Sequence, residues 1–317
     1  MLKQDFVEKD QEKGFNIRDK LKAYVDLTRL HFAIVWPLLF CTGLMLAFRD
    51  NNFFSWNLII IVALIGLFGF EAGMVLNDII DRNLDKLDVD KKNLTNYWRP
   101  FKQRPIPAGK VSYREAIALF SIFVIISIIL IAILPFPNSL FIYGFMVYGY
   151  GMEIFYQIKK RDQKYPIAQL LGRTDLTFFL VAGYLCYGNL DPTILFLVLF
   201  LYPWAQLHLG VNDIIDLEND EAKNLKTVTV LYGIKGNIIW ILGFSIIHLI
   251  TASLFLIFEL GVIALYGFSL SFLLIGIANT FLLVKKTSKA ALKVLPLIHA
   301  SLLIYCLSII LDSIFIL

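Results

Sequence analysis

Two nine-residue stretches hold the side chains best suited to chemistry. Asn77-Asp-Ile-Ile-Asp-Arg-Asn-Leu-Asp85 recurs as Asn212-Asp-Ile-Ile-Asp-Leu-Glu-Asn-Asp220, each an amide and three carboxylates at one spacing, ending a long apolar run. On an α-helix, Asn77, Asp81, Asp85 and Asp78 fall within an arc of roughly 100° over about 12 Å. Asn212, Asp216, Asp220 and Asp213 repeat that pattern. Carboxylates at i,i+4 lie about 6 Å apart and repel by roughly 0.7 kcal/mol in water, or about 3 kcal/mol at an effective dielectric of 20. A cation relieves that repulsion. With oxygen ligands it is a hard divalent ion, and Mg²⁺ typically shares one or two carboxylates with substrate phosphates. A solvated helix end is the plainer account of one such stretch; the repetition favours two halves of one polyanion or metal site.

Basic, turn-rich loops follow both stretches. Lys86 to Lys110 contains Arg99-Pro-Phe-Lys-Gln-Arg104-Pro-Ile-Pro-Ala-Gly109, and the second loop reads Glu221-Ala-Lys223-Asn-Leu-Lys226-Thr227, then Tyr232-Gly233. Cations beside carboxylate-bound Mg²⁺ suit a diphosphate, whose charge exceeds what the metal offsets. Arg104 and Lys226 are the candidates for that contact, whereas Lys91, Lys92 and Lys102 read as topology determinants. Tyr156 and Lys160 are i,i+4 and can point at one ligand. Arg29 enters the first apolar run beside Asp26. Glu71 lies about a turn and a half inside the second run, at a depth where an acid needs a partner or water. It is either functional or a protonated packing contact.

The elements that position these residues are apolar helices. At 317 residues, 58% hydrophobic and mean hydropathy +0.71, the chain is an integral membrane protein. Nine runs of spanning length are Leu30–Phe48, Trp56–Leu76, Ala116–Leu134, Leu140–Tyr156, Ile167–Tyr187, Thr193–Val211, Ile238–Phe258, Gly261–Val284 and Leu295–Leu317. The fifth is interrupted at its start by Gln169, Arg173 and Asp175. Ile17, Leu21, Tyr24 and Val25 predict a short amphipathic lead-in within residues 1–28, and the polar start is not a secretory signal. Lys and Arg total 29, and Arg49 alone falls on the side opposite the N-terminus. The positive-inside rule then makes the N-terminus cytoplasmic, and nine spans put the C-terminus outside. Both acidic stretches end outward-to-inward helices and can face one cytoplasmic-side cavity. The net charge of +4 reflects this topology and implies no nucleic acid. Cys41, Cys186 and Cys306 have neither disulfide nor zinc spacing. His31, His208, His248 and His299 show no ligand cluster; His208, one turn before Asn212, reads mainly as a packed, hydrogen-bonded residue.

Taken in order, these residues resemble the UbiA superfamily of intramembrane prenyltransferases. Asn77, Asp78, Asp81 and Asp85 look like its Asn-Asp-x-x-Asp-x-x-x-Asp motif. Asp216 and Asp220, extended by Asp213, look like its Asp-x-x-x-Asp. Arg104-Pro-Ile-Pro-Ala-Gly109 is similar to the Arg-Pro-Leu-x-x-Gly stretch. Tyr156 and Lys160 match Tyr-x-x-x-Lys, and Lys226-Thr227 with Tyr232-Gly233 fits the last loop. The segment between Asp85 and Arg104 looks about ten residues longer than is usual for the family, and Gly172-Arg173-Thr174-Asp175 is unusually charged.

The resemblance implies an all-α membrane fold of nine helices in two pseudo-repeated halves. They form one domain (1–317) around a central cavity open to the cytoplasm, with active-site loops at 86–112 and 218–236. It implies two Mg²⁺ ions among Asn77, Asp81, Asp85, Asp213, Asp216 and Asp220, with Asp81, Asp85, Asp216 and Asp220 catalytic. The diphosphate of an isoprenyl donor would meet Arg29, Asn77, Arg104, Tyr156, Lys160 and Lys226. The expected reaction is ionisation of the allylic C–O bond and capture by a lipophilic or aromatic acceptor in the membrane. A UbiA-type terpene cyclase, or a non-enzymatic cation or lipid transporter, is the alternative.

Overall fold

The structure, a computed structural model, describes residues 17–90 and 92–317, so the first sixteen residues of the expected lead-in and Lys91 lie outside it. The described residues are helical, with no strand. In chain order they form α1 (Ile17–Leu27), a 3₁₀ turn (Leu30–Phe32), α2 (Val35–Asp50), α3 (Trp56–Asp81), a second 3₁₀ turn (Asp85–Leu87), α4 (Asn93–Trp98), α5 (Tyr113–Ala132) and α6 (Asn138–Lys159). There follow α7 (Ile167–Gly172), α8 (Thr174–Leu185), α9 (Thr193–Ile215), α10 (Leu217–Ala222), α11 (Val228–Glu259), α12 (Val262–Lys285) and α13 (Ser288–Ile316).

Seven helices are long and apolar enough to cross a bilayer: α2 with its leading turn, α3, α5, α9, α11, α12 and α13. The chain is a multi-pass integral membrane protein. The two other expected spans depart from that standard. Asn138–Lys159 is one helix, but it carries Glu153 in its interior. Ile167–Tyr187 breaks at Arg173 (φ −86°, ψ 9°) into α7 and α8. The cause is polar: Arg173 pairs with Glu153 and Asp175 inside the protein, and Gln169 is fully buried among partners. Lipid offers such groups nothing to bond.

Serine and threonine fix three helix starts. Ser55 caps α3, Ser112 and Glu115 form a capping box on α5, and Thr287 caps α13. Outer helices show their apolar side chains to lipid, as with Ile122, Ile125 and Ile129 on α5. With lipid as solvent, the bundle is held by close packing rather than by hydrophobic transfer. The inner helices show it: a Cβ at Gly43 would collide with the Leu180 carbonyl, and one at Gly183 with that of Phe40. Backbones of α2 and α8 therefore touch, with Tyr184, Phe200, Trp204 and Tyr305 buried around them.

Candidate active site

The first acidic stretch does not stay on one helix. Helix α3 ends at Asp81, and Asp85 opens a separate 3₁₀ turn. The second breaks likewise: α9 stops at Ile215, Asp216 adopts φ −94°, ψ 10°, and α10 carries Asp220. The single-helix arc expected from spacing is thus corrected. Ending the helix frees the carboxylates from an i,i+4 row and lets them turn toward separate partners.

Asn77, Asp81, Asp85, Asn212, Asp213, Asp216 and Asp220 nevertheless line one cavity of about 330 Å³. Arg29, Arg104, Tyr156 and Lys160 line it too. Lys226 does not; its backbone N–H bonds the Lys160 carbonyl, and Lys223 is the lysine of that loop that enters the cavity. Glu71 is buried and is not among the lining residues. Along α3 the wall runs from Asp81 to Ile65, a rise of about 24 Å at 1.5 Å per residue. The far part is apolar, with Phe70, Ile131, Ile142, Phe145 and Phe179.

The two motifs differ electrically. Asp81 meets Lys160 Nζ at 2.7 Å and Arg161 at 3.1 Å. Asp85 meets Arg104 at 2.6 Å and Lys223 at 2.9 Å. Burial alone would push the Asp85 carboxyl up, but the Arg104 and Lys223 charges override it and hold it at about 2. The second motif has neutral partners: Asp213 accepts the Val228 N–H at 3.1 Å, Asp216 the Asn219 amide at 2.7 Å, and Asp220 the Thr227 hydroxyl at 2.9 Å. Burial, then the charges of Asp216 and Asp213, pushes the Asp220 carboxyl well above its usual range. Asp216 is raised by burial despite Arg104 and Lys223.

Asp78 is structural: it is buried against Arg99 at 2.8 Å and Arg29 at 3.1 Å. Arg99 also donates to the Asp26 carbonyl, and the Asp26 carboxylate accepts the N–H groups of Phe101 and Gln103. Asn219 Oδ1 accepts from Val89 and Asp90. The long loop is thereby clasped by both halves, and α4 lowers Leu94, Thr95 and Trp98 into the cavity. Gly109 and Gly233, at φ 70° and 69°, take turns that a side chain would strain.

Residues 34–302 match the UbiA prenyltransferase family. The chain belongs to that family. The 4-hydroxybenzoate octaprenyltransferase of Marinomonas sp. (strain MWYL1) is 29% identical over 223 residues, 68% of this chain and 71% of that protein. The digeranylgeranylglyceryl phosphate synthase of Korarchaeum cryptofilum is 25% identical over 295 residues, 92% and 98% of the two chains. A UbiA homologue from Archaeoglobus fulgidus, solved with GPP and Mg²⁺, shares the fold at TM-score 0.68 and 19% identity, covering 91% of this chain and 99% of that one. This chain is therefore a UbiA-family prenyltransferase.

Several residues of this UbiA-family cavity were not singled out by sequence spacing. Glu153 accepts from Asn77 at 2.8 Å and pairs with Arg173, whose guanidinium lies 3.8 Å over the Tyr156 ring. Lys223 and Asp88 join the Arg104–Asp85 pair. The charged run at Arg173 and Asp175 was the visible signal; Glu153 gave none. His208, expected to be a packed, hydrogen-bonded residue, touches His299 at 2.8 Å. Their 91-residue separation hides a contact that the packing of α13 on α9 creates.

Among the described residues, no three acidic, histidine or cysteine side chains already converge as metal ligands. The donor set still suits a hard divalent ion. All its donors are oxygens, and the second motif's acids lack the cations that neutralise the first.

Proposed function

We propose that this chain transfers a prenyl group from an isoprenyl diphosphate to an acceptor held in the membrane. The observation that carries the reading is one cavity with acids of both motifs at its mouth and an apolar passage behind them. Asp81, Asp85, Asp216 and Asp220, with Asn77 and Asp213 beside them, would hold two Mg²⁺ ions. Bound there, Mg²⁺ supplies positive charge to the diphosphate as it leaves.

The chain's own cations do the rest of that work. Lys160, Arg104 and Lys223, now on aspartates, are free to turn to phosphate oxygens once metal charge replaces them. Arg29 and Tyr156 flank the same mouth, and Lys223 takes the role expected of Lys226. As the allylic C–O bond breaks, its electron pair leaves with the diphosphate, and these donors stabilise the growing charge. The acceptor then supplies the pair for the new bond and loses a proton. Trp36 and Phe70, stacked at 3.4 Å on the wall, exclude water and offer π faces to the allylic cation.

Counting α6 and the α7–α8 pair as crossings gives nine passes. With the basic loops inside, the cavity mouth and N-terminus are cytoplasmic and the C-terminus is outside. The whole chain then acts as one domain.

The test is purified protein with geranylgeranyl diphosphate, Mg²⁺ and either 4-hydroxybenzoate or a prenylglyceryl phosphate, followed by diphosphate release and product mass. A prenylated acceptor is expected. Acceptor-independent release with a cyclic hydrocarbon would instead mark a cyclase.

A further inference from the structure

One wall of the cavity carries a polar chain that the acids and cations above do not use. The hydroxyl of Tyr97, on α4, lies 2.6 Å from Nδ1 of His299, and Nε2 of His299 lies 2.8 Å from Nε2 of His208. The Asn212 amide nitrogen lies 3.1 Å from that same His208 atom. An amide nitrogen only donates, so His208 Nε2 accepts and neutral His208 carries its proton on Nδ1; His299 then donates from Nε2 and accepts the Tyr97 hydroxyl at Nδ1. Trp204 stacks on the His208 ring at 5.2 Å and 8°, fixing its plane, and Trp98 stands edge-on at 6.3 Å.

His208 and Asn212 are one turn apart on α9, and both line the cavity with Trp98. The Asn212 Oδ1 atom is buried without a protein partner. His299 and the Asn212 amide both lie on the Nε2 side of His208, so the Nδ1–H on the other side of the ring, with no hydrogen-bond partner among the described residues, is the free donor of this wall. A hydroxyl group can accept from it.

We propose that His208, roofed by Trp98, forms the subsite for a hydroxyl group of the acceptor, donating from Nδ1. Asn212, Tyr97 and His299 are positioning residues that set the His208 tautomer. The inference deepens the prenyl-transfer reading and rests on it for the word acceptor. It ties the added segment between Asp85 and Arg104 to acceptor choice, because Tyr97 and Trp98 lie there. The hydroxyl belongs either to a phenol or to the alcohol of a glycerol phosphate lipid.

The experiment uses the whole protein in lipid nanodiscs. Tryptophan fluorescence, without donor, follows binding of 4-hydroxybenzoate, of benzoate and of a prenylglyceryl phosphate with and without its free hydroxyl. The hydroxylated member of one pair is expected to bind at least about tenfold tighter, as loss of a buried hydrogen-bonding group requires; whichever pair discriminates names the source. H208F should erase that preference and raise the acceptor KM about tenfold, with the donor KM within about twofold. H208N, whose amide nitrogen stands where Nδ1 stood, should retain part of the preference, and H208Q should not. Y97F should weaken it more mildly. Equal binding within both pairs, or an H208F effect shared by donor and acceptor KM, would overturn the subsite. Hydroxyl discrimination without any prenyl transfer would sink the proposed reaction and leave the subsite standing.

Discussion

Lys223 Nζ lies 2.9 Å from Asp85 Oδ1, joining the loop after the second motif to the first motif across 138 residues. With Arg104 on the other Asp85 oxygen, it locks the two halves of the mouth together.

Replacing Lys223 by Met should lower kcat/KM for the donor by about a hundredfold, the worth of one or two charge-assisted contacts. K226M should change it by no more than about threefold, since that side chain lies off the cavity. The pH dependence has a defined sign. Asp85 is depressed to about 2 in the fold, so its stabilisation is complete above the ordinary aspartate pKa near 4 and is lost as pH falls through about 2. K223M should move that loss to higher pH, which thermal unfolding across an acid series would detect. An unchanged acid midpoint would count against the pair.

The second motif predicts the opposite slope. Asp220 and Asp216 are raised by burial, so metal-free stability is fullest below the usual carboxylate range and declines as pH rises through their folded pKa values. D220N should flatten that decline and raise the metal-free Tm while abolishing diphosphate release. D81A and D216A should also abolish release without unfolding the protein.

Mg²⁺ should stabilise the unaltered chain by about 2.7 kcal/mol at a hundredfold excess over Kd. D220N should respond less. Chelator should stop diphosphate release, and turnover persisting in excess chelator would remove the metal from the mechanism.

Arg99 tests the loop clasp. Removing it leaves buried Asp78 with Arg29 alone and strips a donor from the Asp26 carbonyl. R99A should cost about 1.5–3 kcal/mol, the worth of a hydrogen bond to a charged group, read as a fall in Tm.

Gly183 tests the packing of α2 on α8. G183V drives a side chain into the Phe40 carbonyl. Its cost should reach about 3 kcal/mol or more, measured by thermal unfolding in detergent, because two backbones rather than side chains must separate.

The sequence alone determined the membrane class, the two acidic stretches, most spans and the loops beside them. Those features are local: apolar length, repeated spacing, and Gly or Pro at turns report directly on short pieces of chain. The charged start of the fifth run was visible there too. Tertiary structure decided which side chains meet. Lys223 rather than Lys226 lines the cavity because Lys223 ends α10 against Asp85 and Asp88, while Lys226 lies beyond it with its backbone N–H on the Lys160 carbonyl. Glu153 reaches Asn77 and Arg173 only where α6 crosses α3 and α7 breaks from α8. His208 and His299 meet only where α13 packs on α9. Contacts of that kind depend on the crossing of helices distant along the chain, a quantity that residue spacing does not encode.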